Sequence, residues 1–205
     1  MKVLLLNGSP RAKGNTYLAL EEMAKVFETQ GIESEIVQVG NQGVRGCMAC
    51  GYCHDHGKCV IQDVVNDLAR KFEQCDGLVV GTPVYYGLAN GNLISALDRL
   101  FYSSKCDPRM KVGASVVVAR RGGSSATYDE LNKYFGITGM PIATSQYWNM
   151  AYGAAAQEVN QDQEGMQTMR TLANNMVFLM KSIALGKEAF GLPETEERVY
   201  TNFIR

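Results

Sequence analysis

Two groups of residues in this chain are arranged as chemistry requires. One is a run of cysteines, the other a set of small hydrogen-bonding residues in glycine-bearing segments. Cys47, Cys50, Cys53 and Cys59 fall within 13 residues and read C-x2-C-x2-C-x5-C. Three cysteines two residues apart can wrap a corner of an iron–sulfur cluster, and a fourth five residues on can close it. Ferredoxin-type [4Fe–4S] sites use similarly compact spacing, although in two-cluster ferredoxins the fourth cysteine of the run serves the other cluster. Zinc is a second reading, held by four sulfurs or by two with His54 or His56, because tetrahedral sites use the same residue types. Bare thiols or an adventitious disulfide are a third. His54 and His56 read as solvated residues of the spacer, and Cys75 and Cys106 as buried structural cysteines.

The second group begins with NGSPRAKGNT, Asn7 to Thr16. A strand ending in Gly–Ser–Pro, then a flexible loop and a helix start, makes a phosphate site, because backbone N–H groups and the helix dipole both point at the anion. Ser9, Asn15 and Thr16 add side-chain donors, Gly14 keeps the backbone open, and Arg11 adds charge-assisted bonds. A P-loop needs G-x-x-x-x-G-K-[ST]. Here five residues separate Gly8 from Gly14, and Asn15 stands where the lysine would be. G-x-G-x-x-G is absent too. The loop therefore suits a terminal phosphate monoester, such as that of FMN, better than a metal-bound triphosphate. An ordinary capped turn is the alternative.

Two further segments carry parts of the same chemistry. In GTPVYYGLANGN, Pro83 stiffens a turn, Tyr85 and Tyr86 offer flat faces, and Val84 and Gly87 lie between and beside them. An isoalloxazine ring needs apolar or aromatic walls and backbone groups for its polar edge. Half-buried strand-end tyrosines are the competing reading. Ala119, Arg120, Arg121, Gly122 and Gly123 form the third segment. Its glycines let backbone approach a ligand. Its arginines are either solvated or face the flavin's pyrimidine edge or a nicotinamide phosphate, where positive charge would stabilise anionic reduced flavin.

These segments need elements to hold them. Val3–Leu6 is a continuous apolar run, as expected of a strand buried on both faces. A helix is predicted over about 15–30, a strand at 34–39, an unstructured loop at 40–58, a helix at 62–74 and a strand at 77–80. Leu93, Ile94, Leu97, Leu100 and Phe101 mark another helix, and 111–119 another strand. A helix at 125–136, a short last strand at 141–145 and a helix at 162–185 complete the pattern. The methionines of that helix read as core filler. SQYWNMAYG, 145–153, reads as an irregular aromatic stretch that caps a pocket, packs in an interface or lies beneath the last helix. Alternating strands and helices imply a parallel sheet with right-handed crossovers. Five units suggest an α/β, doubly wound, flavodoxin-like sheet of order 2-1-3-4-5, which binds its ligand at the carboxyl ends of the strands. The expected organisation is one domain over 1–185, with a cysteine-rich loop at 43–60 and a C-terminal extension over 186–205.

Bulk properties agree. The chain has 205 residues, 46% hydrophobic and 20% charged, which suits one globular α/β domain. With 20 basic and 21 acidic residues it has no global field for nucleic acid or an anionic membrane. MKVLLLNGSP is too short in apolar residues for a signal peptide, and no run is long enough to span a membrane. A cytoplasmic location is expected, where clustered cysteines serve metal or redox chemistry more often than disulfides.

GSPRAKGNT, then PVYYG, then a glycine-bearing loop after the fourth strand resemble the NAD(P)H-dependent FMN reductase family over roughly residues 1–145. The resemblance implies an FMN phosphate at Ser9, Arg11, Asn15 and Thr16, and an isoalloxazine seated against Pro83 to Gly87 and Ala119 to Gly123. Electrons would pass from NAD(P)H through FMN to a flavin, quinone or other acceptor, in a homodimer or homotetramer. The cysteine spacing resembles the family's iron–sulfur flavoprotein branch, which implies Cys47, Cys50, Cys53 and Cys59 as [4Fe–4S] ligands. The alternative role this implies is electron carriage between ferredoxin-like partners.

Overall fold

Runs rich in Val, Leu and Ile leave a strand no polar face, so they are stable only at the centre of a covered sheet. The computed structural model describes residues 1–201, 203 and 204 and builds the sheet from such runs. Its strands are β1 (Lys2–Asn7), β2 (Glu33–Gln38), β3 (Gly77–Pro83), β4 (Val112–Ala119) and β5 (Met150–Tyr152). All neighbours pair in parallel, in the order β2-β1-β3-β4-β5. β4 is buried along its whole length, whereas β2, at the edge, is only partly covered.

The helices are α1 (Asn15–Thr29), α2 (Tyr52–His56), α3 (Val64–Glu73), α4 (Gly91–Ser103), α5 (Ser124–Ile137) and α6 (Gln163–Phe190), with a 3-10 turn at Glu158–Gln161. α1 and α6 cover one face of the sheet, where Leu20, Met23 and Phe27 meet Met169, Leu172 and Met176. The α6 methionines are core residues, as expected. α3, α4 and α5 cover the other face with Leu68, Phe72, Leu97, Leu100 and Phe135. Both faces of the sheet are covered, which leaves the strand ends as its open part.

The structure departs from the sequence-based expectations at four points. The segment 141–145 is not the fifth strand. It makes a single parallel bridge, Ile142 to Gly113, with Gly113 N–H donating to the Pro141 carbonyl and Ala143 N–H to the Gly113 carbonyl, both at 2.8 Å. The chain then leaves the sheet and returns as β5 at Met150, inside the stretch expected to be irregular. Buried Asn149 closes the excursion: its amide donates to the Ala143 carbonyl, its Oδ1 accepts from Ser145 Oγ, and its carbonyl accepts from Val117 N–H.

The loop at 40–58 contains α2, a single turn bracketed by Gly51 and Gly57 at φ 71° and 62°. Five residues are too few to display a helical period. Local contacts hold the turn, with the His56 ring stacked on Tyr52 at 3.8 Å. The last helix runs on to Phe190 instead of ending near 185. An interior glycine costs a helix only about 1 kcal/mol, and good helix formers surround Gly186. Termination waits for Gly191, whose φ of 75° suits a helix end. Finally, Cys106 is only partly buried, while Cys75 is buried as expected. Within the expected extension 186–205, positions 202 and 205 lie outside the described residues.

Candidate functional site

Helix caps distinguish the strand-end loops. A helix start leaves its first N–H groups without intrahelical partners, and a side chain normally satisfies some of them. Asp63, Asn90 and Asp162 do this for α3, α4 and α6. Besides the one-turn α2, which starts at Gly51, α1 and α5 begin at Gly14 and Gly123 with no side-chain cap. They follow β1 and β4, two of the strand ends the sequence singles out.

In the first loop, Gly8 N–H donates to the Gly81 carbonyl at 2.7 Å, tying the ends of β1 and β3. A Cβ on Gly8 would lie 2.8 Å from the Gly81 carbonyl oxygen, a backbone atom that cannot yield as a side chain would, so no side chain fits there. Ser9 is buried. Its N–H donates to Asn7 Oδ1 at 3.1 Å and its Oγ accepts from Arg11 N–H at 3.2 Å, which leaves a hydroxyl proton to donate. Gly14 N–H donates to the Arg11 carbonyl at 3.2 Å, and Arg11 itself is exposed. Thr16 is buried in the first turn of α1. The Asn15 side chain faces a different partner from the one expected. Its amide donates to the Ala155 carbonyl at 2.8 Å and its Oδ1 accepts from Val159 N–H at 3.4 Å. Ala154, Ala155 and Ala156 consequently wall the same surface hollow as Arg11, Lys13, Gly14 and Asn15. Sequence reading missed this alanine loop and Lys13; the GAAAQ stretch carries no motif.

The second and third loops touch each other. Val84 N–H donates to the Val118 carbonyl at 3.0 Å. Tyr85 and Leu88 exchange backbone bonds at 2.9 and 3.1 Å around Tyr86 and Gly87, at φ 51° and 87°. Positive φ at both central residues is what a type I′ turn requires. Tyr85 is about half exposed, and Tyr86 stands fully in solvent. Pro83 and Val84 are partly buried beneath them. Gly123, at φ 88°, lies against Gly87, and Thr127 Oγ1 donates to both their carbonyls, at 2.9 and 3.1 Å. Ala119 is buried and receives Gly153 N–H on its carbonyl at 3.0 Å. Arg120, Arg121 and Gly122 are exposed, and neither arginine joins an ion pair among the described residues.

Ser124, the first residue of α5, was missed by sequence reading because nothing distinguishes it from Ser125. It is 5% exposed, and its Oγ is the only fully buried side-chain N or O atom among the described residues without a hydrogen-bond partner.

All four clustered cysteines line one cavity of about 160 Å3, with Met48, Val60, Ile61, His54, Arg99 and Tyr102. Cys47 and Cys50 are exposed, Cys53 and Cys59 partly buried, and all are free thiols. Among the described residues no three His, Cys, Asp or Glu side chains converge on a single-ion position. A zinc ion needs its donors to meet at one point. A four-iron cluster spreads its cysteines over four irons, so they surround a void. His56 points away, its Nδ1 lying 3.0 Å from the Tyr52 carbonyl.

Comparison with known proteins agrees with this geometry. A family model described as NADPH-dependent FMN reductase matches residues 1–155. An iron-sulfur flavoprotein of Methanocaldococcus jannaschii is 31% identical over 191 residues, covering 89% of this chain and 99% of that protein. One of Methanosarcina thermophila is 29% identical over 194 residues, covering 92% and 100%. In three dimensions the chain is similar to RosB with a bound intermediate, at TM-score 0.73 and 18% identity, covering all of this chain and 92% of that one. That likeness speaks to the fold alone.

Proposed function

The chain belongs to the NADPH-dependent FMN reductase family, in its iron–sulfur flavoprotein branch, and on that premise we propose that it binds FMN across the ends of β1, β3 and β4 and passes electrons from a reduced nicotinamide to an acceptor. The observation that carries this reading is the pair of uncapped helix starts, α1 and α5, with the unpartnered Ser124 hydroxyl at one of them. FMN has a phosphate for the first and a polar ring edge for the second. Ser9, Arg11 and the N–H groups of Asn15 and Thr16 would hold the phosphate. Pro83 to Gly87 would wall the ring on one side, and Ala119 to Gly123 with Ser124 would meet its polar edge. Arg120 and Arg121 would supply the positive charge there or receive a nicotinamide phosphate. When bound, FMN supplies the hydride and one-electron chemistry, and the protein supplies position and electrostatics.

The four-cysteine cavity supports a more specific reading. Cys47, Cys50, Cys53 and Cys59 would hold a [4Fe–4S] cluster, which would supply one-electron chemistry suited to a ferredoxin-like acceptor. No helix among the described residues is long and apolar enough to cross a membrane. The test is an absorbance spectrum of anaerobically purified protein, before and after NADPH, with iron assayed on the same sample. Flavin bands over broad iron–sulfur absorbance, with iron near four per subunit, are expected. Flavin that bleaches with NADPH in an iron-free protein would leave a plain flavin reductase, and no bound flavin would overturn both readings.

A further inference from the structure

Arg99 is among the largest fully buried side chains, at 1% exposure. Burying a guanidinium is costly unless its donors are matched. It has five N–H groups, and the structure supplies five contacts. Nε meets Cys59 Sγ at 3.2 Å. Nη1 meets the Arg45 carbonyl at 3.1 Å and Asp63 Oδ2 at 2.6 Å. Nη2 meets the Ile61 carbonyl at 3.2 Å and Asp63 Oδ1 at 2.8 Å.

These contacts divide by purpose. The Asp63 carboxylate balances the charge, and it is itself anchored as the cap of α3 by Val65 N–H. The Arg45 and Ile61 carbonyls lie just before and just after the cysteine run, so one side chain on α4 clamps both ends of that run. The contact to Cys59 serves neither purpose. A neutral thiol is a weak acceptor, a poor match for a buried cation. A metal-bound thiolate is a strong one.

Resting on the cluster reading above, we infer that Arg99 is the positioning residue of the cluster, and that its Nε–H bond to Cys59 and its charge raise the cluster's reduction potential. Reduction adds negative charge to the cluster and its sulfurs. Hydrogen bonds to the sulfurs are among the factors that set such potentials, and a neighbouring cation acts in the same direction. The clamp also fixes Cys59 in advance, while Cys47 and Cys50 stay exposed on the outer part of the run.

The test compares wild type with Arg99→Lys, which keeps the charge but loses the fork and the Nε–H donor. FMN content reports folding, iron and sulfide report loading, and an EPR-monitored redox titration reports the potential. Arg99→Lys is expected to keep FMN, to lose iron faster to a chelator, and to shift the cluster equilibrium at least tenfold toward the oxidised form. For a one-electron couple that is about 59 mV. An iron-loaded variant with unchanged potential and unchanged iron loss would overturn the inference. Wild type that binds FMN but never loads iron would overturn the cluster reading instead. Should Arg99→Lys lack FMN and so be misfolded, Asp63→Asn decides. It keeps an oxygen for Val65 N–H while loosening the guanidinium. Faster iron loss to the chelator is expected, because the loosened guanidinium no longer fixes Cys59, and wild-type iron retention would overturn the inference.

Discussion

Gly123 and Gly87 meet backbone to backbone: a Cβ built on Gly123 would stand 2.7 Å from Gly87 Cα and 2.9 Å from Val84 Cγ1. Two loops from different strands thus share one contact that admits no side chain. Gly123 also sits at φ 88°, where a non-glycine residue costs about 1–3 kcal/mol. Gly123→Ala is expected to push the Val84–Gly87 turn outward. Fluorescence titration should show FMN affinity falling by at least tenfold, and denaturant melts of the apoprotein should show a loss of about 1–3 kcal/mol. Unchanged FMN affinity would mean that the contact does not shape the flavin seat.

Tyr86 combines two costs: positive φ on a bulky residue, and a side chain wholly in solvent. Such strain persists where function needs it. Asparagine followed by glycine is the preferred pair for this turn. Tyr86→Asn is therefore expected to stabilise the apoprotein by up to about 1 kcal/mol, by relief of the left-handed penalty, and to weaken FMN binding several-fold. Denaturant melts and flavin titration read the two effects separately. A variant that gains stability and keeps full FMN affinity would show that Tyr86 is not a flavin wall.

The sheet was legible in the sequence because each central strand is a short apolar run that no other element can use. Its order followed from the strand–helix alternation. The fifth strand was not legible. Pro141–Ser145 has strand composition but pairs only through Ile142, because buried Asn149 folds the chain out and back before Met150. The glycines and small residues of the three loops marked their strand ends. Arg99 and Ser124 could not be found that way. An arginine on a helix reads as solvated until the fold shows what it is buried against, and a serine beside another serine has no pattern.

Cys75 gives the alkaline side of the stability curve. Burial pushes its thiol up to about 11, against the opposing pull of the Lys111 ammonium. An unfolded cysteine ionises near pH 8.5. The folded pKa is thus raised. The stability that comes from keeping the thiol neutral is complete below about pH 8.5 and is lost as pH rises toward about 11. Cys75→Ala should be somewhat less stable at neutral pH, through the lost packing, yet show a flatter decline above pH 8.5. Tyr134, raised by burial and then by Asp98, contributes equally to both proteins, so the difference isolates Cys75. Parallel alkaline limbs in urea melts would refute the assignment.

Ser124 separates a ligand contact from a structural one. A buried hydroxyl without a partner costs about 1–3 kcal/mol in desolvation, and this one lies at a helix start that lacks any side-chain cap. In the apoprotein the Ser124 hydroxyl therefore contributes nothing that alanine lacks. Ser124→Ala should leave the apoprotein equally stable or more stable. If the hydroxyl faces the polar edge of bound flavin, the same change removes one hydrogen bond of about 1 kcal/mol and weakens FMN binding by about five- to tenfold. A serine serving the fold would give the opposite pair of results, a destabilised apoprotein and unchanged FMN affinity. Because the two hypotheses move melting temperature and dissociation constant in different directions, one variant measured both ways decides between them.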